Sequence, residues 1–126
     1  MKKSIIYIVE DDKFYKSLLI DCIEKNFGDF DLLTFNDGEE CVDNLKFKPA
    51  LILLDYNLPG MNGVEVLSKI KELSPDTKVI ILTANREINI KVSAMTLKAD
   101  GYIVKGVRNF PQIIEMVQSK IEETTP

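Results

Sequence analysis

Leu51-Ile52-Leu53-Leu54-Asp55, followed by Tyr56-Asn57-Leu58-Pro59-Gly60, is the stretch that decides the fold. Four consecutive apolar residues bounded by turn-forming chemistry read as a strand buried on both faces, as found inside a parallel sheet. Asp55 then stands at the carboxyl end of that strand, where open α/β sheets place their ligands. A second apolar run, Ile5-Ile6-Tyr7-Ile8-Val9, ends in the same way, in Glu10-Asp11-Asp12. Neighbouring strands that both end in carboxylates make an acidic pocket suited to a hard cation, with a carboxylate nucleophile beside it.

Working outward, the pattern alternates strand and helix five times. Strands are expected at Ser4 to Val9, Asp31 to Phe35, Leu51 to Leu54, Lys78 to Leu82 and Gly101 to Val104. Tyr15, Leu18, Leu19, Cys22 and Ile23 fall on one face of a first helix, for which Asp12 is the expected N-cap. Asp37 caps a second helix with Cys41, Val42 and Leu45 inward. The third carries Val66, Leu67, Ile70 and Leu73 and stops before Pro75. The fourth, over about Glu87 to Leu97, has a poorly defined stripe; the fifth shows Phe110, Ile113, Ile114, Val117 and Ile121. Strands alternating with helices of this length imply right-handed βαβ units and one parallel sheet covered on both faces.

The 126 residues suit one domain, expected over 1–122, with 123–126 as a tail or the start of a linker. No apolar run is long enough to span a membrane, and Met1-Lys2-Lys3-Ser4 lacks a signal-peptide cleavage site, so a cytoplasmic location is expected. The net charge of −4, with no basic stripe, argues against nucleic-acid binding. Histidine is absent, which excludes a His-based triad, a His metal site and a phosphohistidine within this chain. Cys22 and Cys41 lack metal-ligand spacing and read as reduced core or near-core residues.

Four of the five strand ends carry a polar residue with chemistry: Glu10 and Asp11, Asp55, Thr83 and Lys105. Helical crossovers bring these ends to one edge of the sheet. Two carboxylates about 5 Å apart repel by roughly 3 kcal/mol at an effective dielectric near 20. A divalent cation would relieve that strain, and oxygen-only donors suit Mg²⁺. An attacking aspartate, an open cation position and a lysine for equatorial oxygens are the equipment for phosphoryl transfer to a carboxylate.

At this point the chain resembles, along its whole length, the receiver domain of two-component response regulators. The resemblance rests on Val9-Glu10-Asp11-Asp12, Leu53-Leu54-Asp55, Leu58-Pro59-Gly60-Met61-Asn62-Gly63, Leu82-Thr83-Ala84 and Gly101-Tyr102-Ile103-Val104-Lys105, in order and each at the expected element. It implies a flavodoxin-like sheet of strand order 2-1-3-4-5, and a signalling switch rather than a metabolic enzyme. Asp55 would accept a phosphoryl group from a sensor histidine kinase or a histidine phosphotransfer protein. Asp11 would hold Mg²⁺ directly, Glu10 largely through water, and Asn57 through its backbone carbonyl. Thr83 and Lys105 would contact phosphoryl oxygens, Thr83 and Tyr102 would form the switch, and Asn57 and Asn85 would tune the phosphoryl lifetime.

The chain departs from that pattern at Gly106, where the family usually has a cis proline, and at Lys98, where a glycine commonly closes the fourth helix. The Lys105–Gly106 peptide is expected to be trans, with Gly106 free to make the sharp turn through positive φ. Phe14, Ile90, Val107 and Met116 lie off the core stripes. They read either as scattered exposed residues or as part of a surface on the fourth helix, fifth strand and fifth helix, through which an output partner or second copy would dock. Two other functions fit less well. A Mg²⁺-dependent phosphohydrolase of the D-x-D kind would need an acid where Asn57 stands, and a degenerate receiver would not need the intact acidic set.

Overall fold

The computed structural model of the protein describes residues 3–84 and 86–124, with the side chains of Val107 and Thr124 excluded. Asn85, Thr125 and Pro126 therefore lie outside the described residues, as does the Val107 side chain. The elements run β1 (Ser4–Val9), α1 (Lys13–Asn26), β2 (Phe30–Phe35), α2 (Gly38–Asp43), β3 (Leu51–Asp55), α3 (Gly63–Leu73), β4 (Lys78–Thr83), α4 (Ile88–Thr96), β5 (Gly101–Val104) and α5 (Phe110–Thr124). Single 3₁₀ turns at Leu45–Phe47 and Val107–Asn109 join α2 to β3 and β5 to α5. Glu123 and Thr124, expected in the tail, continue α5.

All strand pairs are parallel and the order is β2-β1-β3-β4-β5, as the resemblance implied. Side-chain alternation splits the core into two layers. Tyr7, Val9, Ile52, Leu54, Val79 and Ile81 pack with Cys41, Val66, Leu67, Ile70 and Ala94, beneath α2, α3 and α4. Ile6, Ile8, Leu51, Leu53, Ile80, Leu82 and Ile103 pack with Leu19, Ile23, Ile113 and Val117, beneath α1 and α5. β3 is buried at every position, which is why its sequence is a continuous apolar run.

The helix starts follow local chemistry. Asp12 caps α1, its carboxylate accepting from the amides of Phe14 and Tyr15, and Asp37 caps α2 through the amide of Glu40. Asn62 and Glu65 form a reciprocal capping box that opens α3. Cys22 and Cys41 are unpaired, and burial pushes the Cys41 thiol up to about 12. No described helix is long and apolar enough to cross a membrane.

Three expectations need correction. Leu73, placed on the inward stripe of α3, is 60% exposed. It is the last residue of α3, and the chain then turns into β4 through a 2.7 Å hydroxyl contact between Ser74 and Thr77 and a bond from Thr77 to the carbonyl of Pro49. Ile90, read as off the core, is buried. The inward face of α4 is Ile90 and Ala94, with Leu97 just beyond the helix partly buried against the same core. The more apolar stripe Ile88, Val92 and Met95 faces outward. Gly106 has φ 168°, extended backbone rather than positive φ, so the turn after β5 comes from the 3₁₀ segment. Among the described residues no peptide is cis, and the Lys105–Gly106 bond is trans as expected.

Candidate functional site

Register explains why the polar strand ends meet. Val9 pairs with Leu54, so Glu10 and Asp55 follow side by side; Asp55 pairs with Leu82 and Thr83 with Val104, which brings Thr83 and Lys105 to the same edge. The alternation then sorts them by face. Asp55 follows Leu51 and Leu53 towards α1 and α5, and Glu10 and Lys105 meet it there. Thr83 and Tyr102 fall on the opposite face, towards α4.

Glu10 is 1% and Asp55 2% exposed, and Thr83 is fully buried. Lys105 Nζ donates to Glu10 Oε1 at 2.6 Å and lies 3.0 Å from Asp55 Oδ1. The second contact is an ion pair, and among the described residues Asp55 Oδ1 accepts no hydrogen bond of regular geometry. Asp11 is exposed, yet one oxygen from each of Glu10, Asp11 and Asp55 falls within 4.8 Å of the others. Glu10 Oε2 also accepts from the amide of Asp12 at 3.1 Å, which aims that carboxylate into the site.

Burial raises the Asp55 carboxyl to about 7; the Lys105 charge works against this and the Glu10 charge adds to it. Lys105 is held above its ordinary value. Burial acts to lower it, but the hydrogen bond to Glu10 and the charge of Asp55 outweigh that. One ammonium thus serves two buried carboxylates while a third stands at the rim. A buried carboxylate oxygen that accepts no regular hydrogen bond among the described residues, in a set of oxygen ligands only, fits a hard divalent cation.

The loop after β3 frames the site. Gly63 donates to the carbonyl of Tyr56 at 2.8 Å, and a Cβ on Gly63 would lie 2.7 Å from the Asp55 carbonyl oxygen. Asn57 is exposed on this loop, and Tyr102 is half-buried against the α4-side core. Among the off-stripe residues, Phe14 is 74% exposed beside the acidic end of β1, whereas Met116 is half-buried against the core beneath α5.

Tyr15 was legible in the sequence only as a stripe residue of the first helix, but its ring centroid lies 4.6 Å from Lys105 Nζ. Asn109 carries no mark in the sequence. Its side-chain amide donates to the carbonyl of Val104, and its backbone amide donates to that of Gly106 at 2.9 Å. An asparagine shortly before a helix reads as an ordinary cap, so no sequence signal pointed to this clip.

The family model for the response regulator receiver domain matches residues 6–118. The transcriptional regulator NtrC of Klebsiella pneumoniae is 34% identical over 106 residues, 83% of this chain and 22% of that protein. Response regulator Rcp1 of Synechocystis is 32% identical over 125 residues, 90% of this chain and 84% of that one. The chain thus spans only a fifth of the first of these relatives and most of the second. The crystal structure of the Mn²⁺-bound form of Rcp1 matches with a TM-score of 0.83 at 25% identity, over 98% and 97% of the two chains. A CheY-like receiver domain protein from Methanospirillum hungatei matches with a TM-score of 0.87 at 28% identity, over 97% and 96%.

Proposed function

Because this chain belongs to the response regulator receiver domain family of two-component systems, we propose that it is a phosphorylation-dependent switch with Asp55 as its phosphoacceptor. One observation carries the reading. Asp55 is a buried carboxylate, one oxygen of which accepts no hydrogen bond of regular geometry among the described residues, set between an ammonium at 3.0 Å and two further carboxylates.

In the proposed reaction an Asp55 carboxylate oxygen attacks phosphorus in line with a phosphohistidine nitrogen of a partner kinase or phosphotransfer protein. The new P–O bond forms as the P–N bond breaks, and the imidazole leaves with the electron pair and takes a proton from solvent. Lys105 faces the incoming phosphoryl oxygens with its charge, and Thr83, at the same sheet edge but on the α4 side, would turn its hydroxyl towards another of them. Glu10, Asp11, Asp55 and the Asn57 carbonyl would hold Mg²⁺, a reading in keeping with the Mn²⁺ reported for the Rcp1 structure. When bound, the cation supplies positive charge to the phosphoryl oxygens and favours the ionised carboxylates.

Thr83 and Tyr102 share the α4 side of the sheet, which supports a switch running from the phosphoryl site to that face. There the outward stripe Ile88, Val92 and Met95 would meet an output partner or a second copy. The test is incubation with acetyl phosphate and Mg²⁺, read by mass spectrometry. One phosphoryl group is expected on the wild type and none on Asp55→Asn; equal labelling of both would overturn the assignment.

A further inference from the structure

Lys105 has a flexible four-carbon stem, and the extended backbone at Gly106 does nothing to choose its side-chain direction. Ahead of it lie two carboxylates of unequal pull, Glu10 at 2.6 Å and Asp55 at 3.0 Å. Tyr15, from the first turn of α1, presents its ring to the same ammonium, Nζ lying 4.6 Å from the centroid. That ring is in turn packed on Phe110 at the start of α5, with centroids 5.6 Å apart and planes inclined by 40°.

The Tyr15 hydroxyl is buried and has no hydrogen-bond partner among the described residues. The side chain is therefore held by its ring contacts and not by a polar anchor. Its phenol also stays neutral, since burial, then the charges of Glu10 and Asp55, raise it to about 12. An aromatic face attracts a cation through its quadrupole, more strongly where water is excluded, and the Lys105 side chain is only 14% exposed.

We propose that Tyr15 is a positioning residue whose ring face holds the Lys105 ammonium over the carboxylate pair, aimed at the oxygens of a phosphoryl group arriving at Asp55. This rests on the role given to Lys105 above. α1 and α5 thereby act together on the site, Phe110 steadying Tyr15 and Tyr15 steadying Lys105.

The test reads geometry and rate separately. In a proton–carbon correlation spectrum, the Lys105 ε-methylene signals, assigned by their loss in Lys105→Met, should lie upfield of other lysines because of the ring current. They should stay upfield in Tyr15→Phe and return to the ordinary position in Tyr15→Leu. Phosphorylation by acetyl phosphate should be slower in Tyr15→Leu by roughly fivefold, the rate equivalent of a partly desolvated cation–π contact. Tyr15→Phe should restore the rate, and Mg²⁺ affinity should be the same in all three proteins. Phe110→Leu, which keeps Tyr15 but frees its ring, should give intermediate values and decides the matter if Tyr15→Leu does not fold. An ordinary ε-methylene shift in the wild type, or a wild-type rate in Tyr15→Leu, would overturn the proposal. So would a Tyr15→Phe rate as low as that of Tyr15→Leu. A wild-type rate in Lys105→Met would instead overturn the role of Lys105, with the ring-current result unaffected.

Discussion

Lys105 lies closer to Glu10 than to Asp55, 2.6 Å against 3.0 Å, and of the two contacts only the one to Glu10 has regular hydrogen-bond geometry. The ammonium is therefore shared, and Asp55 keeps an oxygen that accepts no regular hydrogen bond among the described residues, and a raised pKa despite a cation beside it. A carboxylate fully tied up by its lysine would be a weaker nucleophile and a weaker cation ligand.

The raised pKa of Asp55 makes the stability of the metal-free protein depend on pH. Its carboxyl titrates near 7 when folded and near 3.8 when unfolded, so the native state binds the proton more tightly. That contribution is whole below about pH 4 and lost as pH rises through 7, a change on the order of a few kcal/mol. Denaturant unfolding of the wild type should show the loss between about pH 4 and 7, and Asp55→Asn should lack it and be the more stable protein at pH 8.

Mg²⁺ should stabilise the fold saturably, because it binds the native acidic set and relieves repulsion among Glu10, Asp11 and Asp55. At 100 times its dissociation constant the gain is about 2.7 kcal/mol. In thermal melts Asp11→Ala should lose most of that response; an undiminished response in the variant would place the cation elsewhere.

Gly63→Ala should damage site and fold together. The added methyl carbon would sit 2.7 Å from both the Asp55 carbonyl oxygen and Tyr56 Cα, backbone atoms that move only if α3 shifts off β3. A cost of about 1–3 kcal/mol is expected from such overpacking. Unfolding curves and acetyl phosphate labelling should fall in parallel.

Lys98→Gly should stabilise the protein. Lys98 sits at φ 67° one residue past the C-cap of α4, in a closing turn made by Lys98 N–H to the Met95 carbonyl and Ala99 N–H to that of Ala94. A left-handed non-glycine residue costs about 1–2 kcal/mol, partly offset by the greater chain entropy of glycine, leaving about 0.5–1 kcal/mol. A higher thermal midpoint with unchanged phosphorylation would confirm it.

Beryllofluoride with Mg²⁺ should shift backbone resonances of Thr83, residues 86–97 and Tyr102, because Thr83 and Tyr102 share the α4 side of the sheet. Thr83→Ala should confine the shifts to the neighbourhood of Asp55. Shifts equally confined in the wild type would mark a passive site.

The strands, their parallel pairing and the convergence of Glu10, Asp55, Thr83 and Lys105 were all legible in the chain. A strand buried on both faces has to be an uninterrupted apolar run, and a crossover helix has to return the chain in the same direction, so the carboxyl ends gather on one edge. These are local or topological constraints, and the motifs at Asp55 and Lys105 carried them by type and order. Contacts between layers left no such trace. Ile90 and Ala94 face inward while the more apolar Ile88, Val92 and Met95 face out, because α4 is apolar on two sides and a small alanine at the contact gives little hydrophobic signal. Tyr15 looked like any stripe residue, since nothing within α1 reveals that β5 and α5 will bring Lys105 and Phe110 to its ring. How one ammonium divides itself between Glu10 and Asp55 is likewise settled by tenths of an ångström among the ends of three strands, Lys105 and Glu10 being 95 positions apart in sequence, which only the packed tertiary structure decides.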